Sequence, residues 1–326
     1  MLLQEKRKFH LLKYLLPFGG GFFLLLLPLI GKSQQNTVMT QYMFNNMEFN
    51  PAYAGSSDGI NLNGWIRQQW IGFKDGDGDQ IGPQTYLVTA DAPITILHGG
   101  AALSIYQDKL GYFSNIGIKV CYAYRANVGP GVLSGGIGAD IINTKIDFTK
   151  FKPAQESGDF VLDDKSQRSG LVADMTLGAY YRIPDKFYVG LSADQILQSE
   201  EKKIFYKLKR QYYLTGGYNW VIPGHPLFEL QPSAMFLYDG AAFSFDVDAL
   251  LLYNNKFWGG LGYRYQDAVM ILAGINIKSI RVGISYDIST SSLSKYNDGS
   301  VEVTLGYLFK LKIEKFRKSY RNTRFL

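Results

Sequence analysis

From residue 59 onwards the chain alternates apolar with small or polar side chains in runs of roughly ten residues. Period two is the spacing of a strand with a different environment on each face. Phe243-Ser244-Phe245-Asp246-Val247-Asp248-Ala249 shows it most plainly, with aromatic and aliphatic groups on one face and both carboxylates on the other. In a soluble sandwich the polar face would meet water and the apolar face a core. In a membrane barrel the apolar face meets lipid and the polar face lines the lumen.

Period and turn signals predict fourteen strands, near 59–69, 84–92, 99–107, 114–126, 132–143, 170–181, 187–195, 211–221, 227–237, 243–253, 257–266, 268–277, 279–287 and 300–309. Connections after even-numbered strands are mostly tight, as at 127–131, 182–186, 222–226 and 254–256. Those after odd-numbered strands include the long segments 70–83, 144–169, 196–210 and 288–299. Short turns at one end and long loops at the other mark an all-β, antiparallel transmembrane β-barrel spanning 59–309, its long loops outward. Pro232 cannot donate to a ladder, so a bulge is expected in the ninth strand.

The two faces keep their character from strand to strand. Leu133, Ile137, Ile141, Val189, Leu191, Val269, Ile271, Val282, Ile284, Val303, Leu305 and Phe309 share the outward phase. The inward phase carries Arg67, Asp91, Arg125, Asp140, Asp174, Asp246, Asp248, Arg264 and Arg281, with Lys119, Arg182, Asp194, Glu229, Asp287 and Glu302. A lipid-facing Arg or Lys would cost about 2–4 kcal/mol near the midplane, which assigns these charges to the lumen. Two roles are open to them: ion pairs that cross-link strands, or a pathway for a polar solute. A ring of this many strands encloses more space than its own side chains fill. Residues 34–58, dense in Asn, Gln, Tyr, Phe and Met with Glu48 the single formal charge before Asp58, are the candidate plug.

The ends of the chain explain its charge. Lys6, Arg7, Lys8 and Lys13 precede an apolar stretch from Leu15 to Ile30, and Gly31-Lys32-Ser33 supplies small residues for signal-peptidase cleavage before Gln34. Residues 1–33 are therefore read as a signal peptide, and 310–326 as a basic periplasmic tail. These two ends carry +4 and +6 of a total of +6, leaving 34–309 at −4, so the basic balance does not indicate a nucleic-acid partner. No later stretch has 18 consecutive apolar residues. Tyr, Phe and Trp at 15% and 35 glycines suit a barrel in the outer membrane, with lipid as a partner.

Several strings are specific. Gln41-Tyr42-Met43-Phe44-Asn45, then Asn50-Pro51-Ala52-Tyr53-Ala54-Gly55-Ser56 and Arg67-Gln68-Gln69-Trp70, resemble the opening of the PorP/SprF family of Bacteroidetes type IX secretion and gliding proteins. Similar strings continue in order through Ser104–Gly111, Tyr122–Arg125, Lys186–Ser192, Tyr212–Tyr218, Lys256–Gly260 and Gly283–Asp287. Asn46-Met47-Glu48-Phe49 departs from the more aliphatic link usual in the family. The resemblance implies an outer-membrane barrel that works with a secreted protein bearing a type IX sorting C-terminal domain, and with periplasmic or outer-membrane components of the apparatus. Gln41, Tyr42, Phe44, Asn45, Asn50, Pro51, Tyr53 and Gly55 are the motif residues it marks for plug or partner contact. A channel or transporter for a polar solute is the alternative.

Enzymatic chemistry finds little support. His98 and His225 both fall in short turns, away from a luminal acid and serine. Cys121 is a lone cysteine. Asp75-Gly76-Asp77-Gly78-Asp79 is similar to a calcium loop, but Gln80 stands where the motif needs Gly and Tyr86 where it needs Glu. No catalytic residue, metal ligand or cofactor is therefore expected.

Overall fold

The computed structural model describes residues 38–150, 167–204 and 206–310. The expected signal peptide, the first residues of the candidate plug, most of the 144–169 loop and the tail after Lys310 lie outside the described residues.

The strands are β1 (Gly59–Gln68), β2 (Gln84–Ile94), β3 (Gly99–Leu110), β4 (Phe113–Val128), β5 (Gly131–Asp147), β6 (Gln167–Ile183), β7 (Phe187–Asp194), β8 (Glu200–Glu201), β9 (Tyr206–Lys207) and β10 (Gln211–Tyr218). They continue with β11 (Trp220–Val221), β12 (Phe228–Tyr238), β13 (Phe243–Tyr253), β14 (Phe257–Arg264), β15 (Ala268–Ile277), β16 (Ile280–Ser289) and β17 (Ser300–Lys310). Neighbours pair antiparallel, β1 meets β17 and β10 meets β12, so the sheet closes on itself. β8 and β9 form a separate small hairpin in the loop after β7. β10 and β11 face β12 in one register, and counted as one strand they give a closed barrel of fourteen. Closure satisfies the backbone polar groups that hydrocarbon cannot.

Alternation sets which face each side chain takes. β13 runs exposed, buried, exposed along its whole length, with Phe245 outward and Asp246 and Asp248 inward. Aromatics gather at both rims: Phe236, Phe243 and Tyr265 stack with centroids 5.9 and 5.8 Å apart at the long-loop end, and Phe228 meets Tyr253 at 5.0 Å at the other. Such paired girdles bound the apolar band of an outer-membrane barrel. At the short-turn end Asn254 and Asn255 both adopt positive φ, 51° and 52°, as the tight reversal requires.

Three expectations need correction. The loop placed at 144–169 is shorter, because β5 runs on to Asp147 and β6 begins at Gln167. Charged residues hid this rim, yet Ile146 pairs with Arg168, and the Gln167 side chain donates to Asp147 at 3.2 Å. Pro232 makes no bulge. Its register to Ala249 is unbroken, and the pairs Gly217–Ser233 and Trp220–Leu230 keep one register across the gap opposite it. The missing donor instead interrupts the ladder to the eighth strand, dividing it into β10 and β11. At the C-terminal end β17 takes in Lys310, a residue assigned to the tail.

Candidate functional site

Residues 38–56 touch strands on every side of the ring, which a single segment can do only from within. The segment folds as a 3-10 turn (Tyr42–Phe44), a four-residue helix (Asn46–Phe49) and a second 3-10 turn (Pro51–Tyr53). Asn50 starts the second turn, its side chain accepting from Ala52 N at 3.0 Å with proline in the next position. Gly55, at φ +63°, turns the chain under Ala92 and Gly100 towards β1.

The motif residues fasten this segment to the wall. Glu302 accepts from the backbone of Thr40 and Gln41, each at 2.9 Å, and the Gln41 side chain accepts from Thr304 at 2.9 Å. Tyr42 is fully buried. Phe44 lies 4.8 Å from the Trp258 ring, with the Arg281 guanidinium 4.4 Å from its own centroid. Asn45 accepts from Thr89 at 3.3 Å. Asn50 donates to the carbonyls of Ala179 and Leu191, at 2.9 and 3.2 Å, and so bridges β6 and β7. Pro51 is buried, and Tyr53 packs edge-on to Tyr180 at 5.4 Å. Asp91 accepts from Gly55 N at 3.0 Å, and Arg125 donates to the Ala54 carbonyl.

The wall is shaped for this occupant. A Cβ at Gly136 would stand 2.2 Å from Ala52 N, one at Gly178 2.1 Å from Asn50 Oδ1, and one at Gly283 2.2 Å from Gln41 Oε1. A Cβ at Gly100 would come within 2.4 Å of the Ala54 carbonyl. Each is closer than real Cβ contacts come, so the strand glycines mark close approach of the inner segment, by its backbone at Gly100 and Gly136 and by its side chains at Gly178 and Gly283.

Luminal charges collect in two clusters. Arg67 pairs with Asp287 at 2.7 Å and Glu302 at 3.0 Å, and Arg264 with Asp246 at 2.9 Å and Asp287 at 3.5 Å. Thr40 joins the first cluster, accepting from Arg67 and donating to Asp287, both at 2.8 Å. Asp248 is buried on the same wall as Asp246. The second cluster centres on Lys119, with Asp194 at 3.2 Å, Asp140 at 3.8 Å and Glu48 at 3.9 Å. Removing one partner from such a buried pair costs roughly 3–5 kcal/mol. Asp174 stands apart, accepting from the backbone of Leu197 and Ser199 at 2.9 and 3.0 Å where the chain leaves β7. Sequence reasoning left Thr40 and Glu48 without roles. Glu48 could have been found as the only charge in a segment placed opposite a charged wall.

At the long-loop end, a cavity of about 340 Å³ lies among the loop after β1, the β3–β4 turn and the β8–β9 hairpin, walled by Trp70, Phe73, Leu110, Phe113 and Tyr206 with Lys209 at its edge. Tyr112, which also lines it, is held from outside by Asp75, which accepts from the Tyr112 hydroxyl at 2.6 Å and from the backbone of Asp77 and Asp79 at 3.0 and 2.9 Å. That hydroxyl bond, with the backbone donors, holds the Asp75 carboxyl below its ordinary range, and it pushes the Tyr112 phenol up to about 12. His98 ends the short 3-10 turn after β2, and Cys121 is buried beside Met47 and Ala102. No cluster of three or more His, Cys, Asp or Glu with metal-binding geometry occurs among the described residues.

An antiparallel ring, apolar and aromatic outside and charged within, is a barrel of the outer-membrane class, here with its own preceding segment in the lumen. Residues 31–307 match the family described as type IX secretion system membrane protein PorP/SprF. The chain belongs to that family, and its place is the outer membrane. Among solved structures it is similar to the toluene transporter TbuX of Ralstonia pickettii, with a TM-score of 0.51 at 11% identity over 80% of this chain and 92% of that one. It is also similar to Omp33 of Acinetobacter baumannii, with a TM-score of 0.44 at 9% identity over 77% and 98%. At these identities the likeness concerns fold alone. No curated protein matches the chain in sequence.

Proposed function

We propose that this barrel serves type IX secretion by delivering or retaining a secreted protein, one bearing a type IX sorting C-terminal domain, at the cell surface. The observation that carries the reading is the occupied lumen: residues 38–56 are bonded to strands around the whole ring. A barrel filled in this way offers its mouth as a surface rather than its axis as a route. Family membership supplies the class of partner. The long loops face outward in this reading, and the aromatic cavity at their base receives an apolar side chain of the cargo, with loops carrying recognition on a rigid scaffold. The short-turn end and the basic tail face the periplasm and its secretion components. The protein acts by binding and performs no catalysis of its own.

The test compares wild type, a complete knockout and a Trp70→Glu strain for one sorted adhesin-like protein in surface and medium fractions, with uptake of small polar solutes measured in parallel. Loss of the surface protein in both altered strains, with uptake unchanged, is expected. If the knockout leaves every sorted protein in place and abolishes uptake of a polar solute, retention fails and the channel reading replaces it.

A further inference from the structure

The geometry points to a second binding site, at the short-turn end of the lumen, that takes carboxylate side chains of an acidic peptide segment. A cavity of about 250 Å³ lies there between the inner segment and the wall. Its lining includes three cations, Arg182, Arg281 and Lys186, against a single carboxylate, Asp185. The two arginines differ from the cations at the centre of the two ion-paired clusters. Among the described residues no carboxylate lies within 4.0 Å of either guanidinium, whereas Arg67, Lys119 and Arg264 are each held by two or more. Arg281 has one weak side-chain contact, to Asn276 at 3.4 Å, and rests over the Phe44 ring. Both side chains are half-buried, so two guanidinium forks face one cavity without the partner that burial calls for.

Chemistry and size select the occupant. Guanidinium forks match carboxylate or phosphate, and the tyrosine walls of Tyr53, Tyr180 and Tyr188 suit a short side chain lying flat. The volume falls below the roughly 300–1,000 Å³ of sites that enclose a whole small molecule, so the fit is to a side chain or two of a longer chain. A lipid headgroup is disfavoured by position: the arginines face the lumen, and the sheet stands between them and the bilayer. The site does not rest on the retention reading, because it lies at the opposite end from the cargo-facing loops.

The experiment uses the full-length barrel purified in neutral detergent and a fluorescent tetraglutamate peptide, with tetraglutamine as the neutral probe. Binding by anisotropy should be selective for glutamate and weaken with salt. The Arg182→Gln/Arg281→Gln variant should lose at least ten-fold in affinity. Neither arginine is ion-paired, so the change strands no buried charge, and heat-modifiable gel mobility scores folding. Lys186→Glu, on an exposed turn, should weaken binding, and Lys207→Gln at the long-loop end should leave it unchanged. Equal affinity for the two peptides, or full binding by the folded double variant, overturns the site. So does displacement of the peptide by phosphatidylglycerol micelles but not by excess free tetraglutamate, which would make the ligand a headgroup.

Discussion

Gly135 and Gly136 are consecutive residues of β5, and the same substitution at each should have opposite consequences. A Cβ at Gly135 meets nothing within 4 Å, since it points to lipid. At Gly136 it would stand 2.2 Å from Ala52 N, 2.4 Å from Pro51 C and 2.5 Å from Ala52 Cα. All three atoms are backbone, so no rotamer change relieves the overlap, and strand and segment must part by about 1 Å to regain ordinary contact. Overpacking of this kind costs about 1–3 kcal/mol. Stretching the Asn50 bonds to β6 and β7 adds about 1 kcal/mol. Gly136→Ala should thus lower the ratio of seated to released segment by roughly 30- to 700-fold, at about 1.4 kcal/mol per decade. Mild proteolysis of detergent-solubilised, heat-modifiable barrel reads this directly as cleavage between residues 38 and 58, and planar-bilayer conductance reads the vacated lumen. Gly135→Ala should match wild type in both. Equal protection of the segment in the folded Gly136→Ala and wild-type barrels would refute the seating argument.

Phe245→Lys should reduce the yield of folded barrel by an amount equivalent to about 2–4 kcal/mol, because Phe245 faces the lipid, while Phe245→Leu is tolerated; gel mobility before and after heating measures both. Asp246→Asn should be comparably damaging for a different reason, since it strips Arg264 of a fully buried partner; Asp246→Asn/Arg264→Met should recover much of the roughly 3–5 kcal/mol lost, and urea unfolding of the three variants checks it. Amino-terminal sequencing of membrane-extracted protein should read from Gln34, blocked if that residue has cyclised; an intact Leu15–Ile30 stretch would overturn the cleavage site.

Strands were legible where one face meets lipid, because period two is then enforced along the whole run, as in β13. The rims were less so: at Lys145, Ile146 and Asp147 the phase inverts, with charges outward and the apolar side chain buried, so ladder pairing runs on past the pattern that marks a lipid-facing strand. Pro232 announced a lost hydrogen bond, but not whether the strand would bulge or its neighbour would break. Inward charges followed from phase alone, whereas their partners did not. Arg67 and Asp287 lie 220 positions apart, and only closure of the ring brings them to 2.7 Å. The aromatic cavity was hidden for a similar reason, since Trp70, Phe113 and Tyr206 come from three distant places in the sequence without a common period.

Arg67 and Glu302 also stand directly opposite each other in the ladder between β1 and β17. This is the seam that turns a sheet into a tube, and since β17 ends the barrel it can be stitched only after every other strand has been made. Glu302 holds both Arg67 and the backbone of Thr40 and Gln41, so the last ladder and the inner segment share one fastening. The tube is therefore sealed around its contents, much as a cask is hooped over what it already holds. An assembly factor that delays the meeting of β1 and β17 would set the time available for loading before that shared fastening forms.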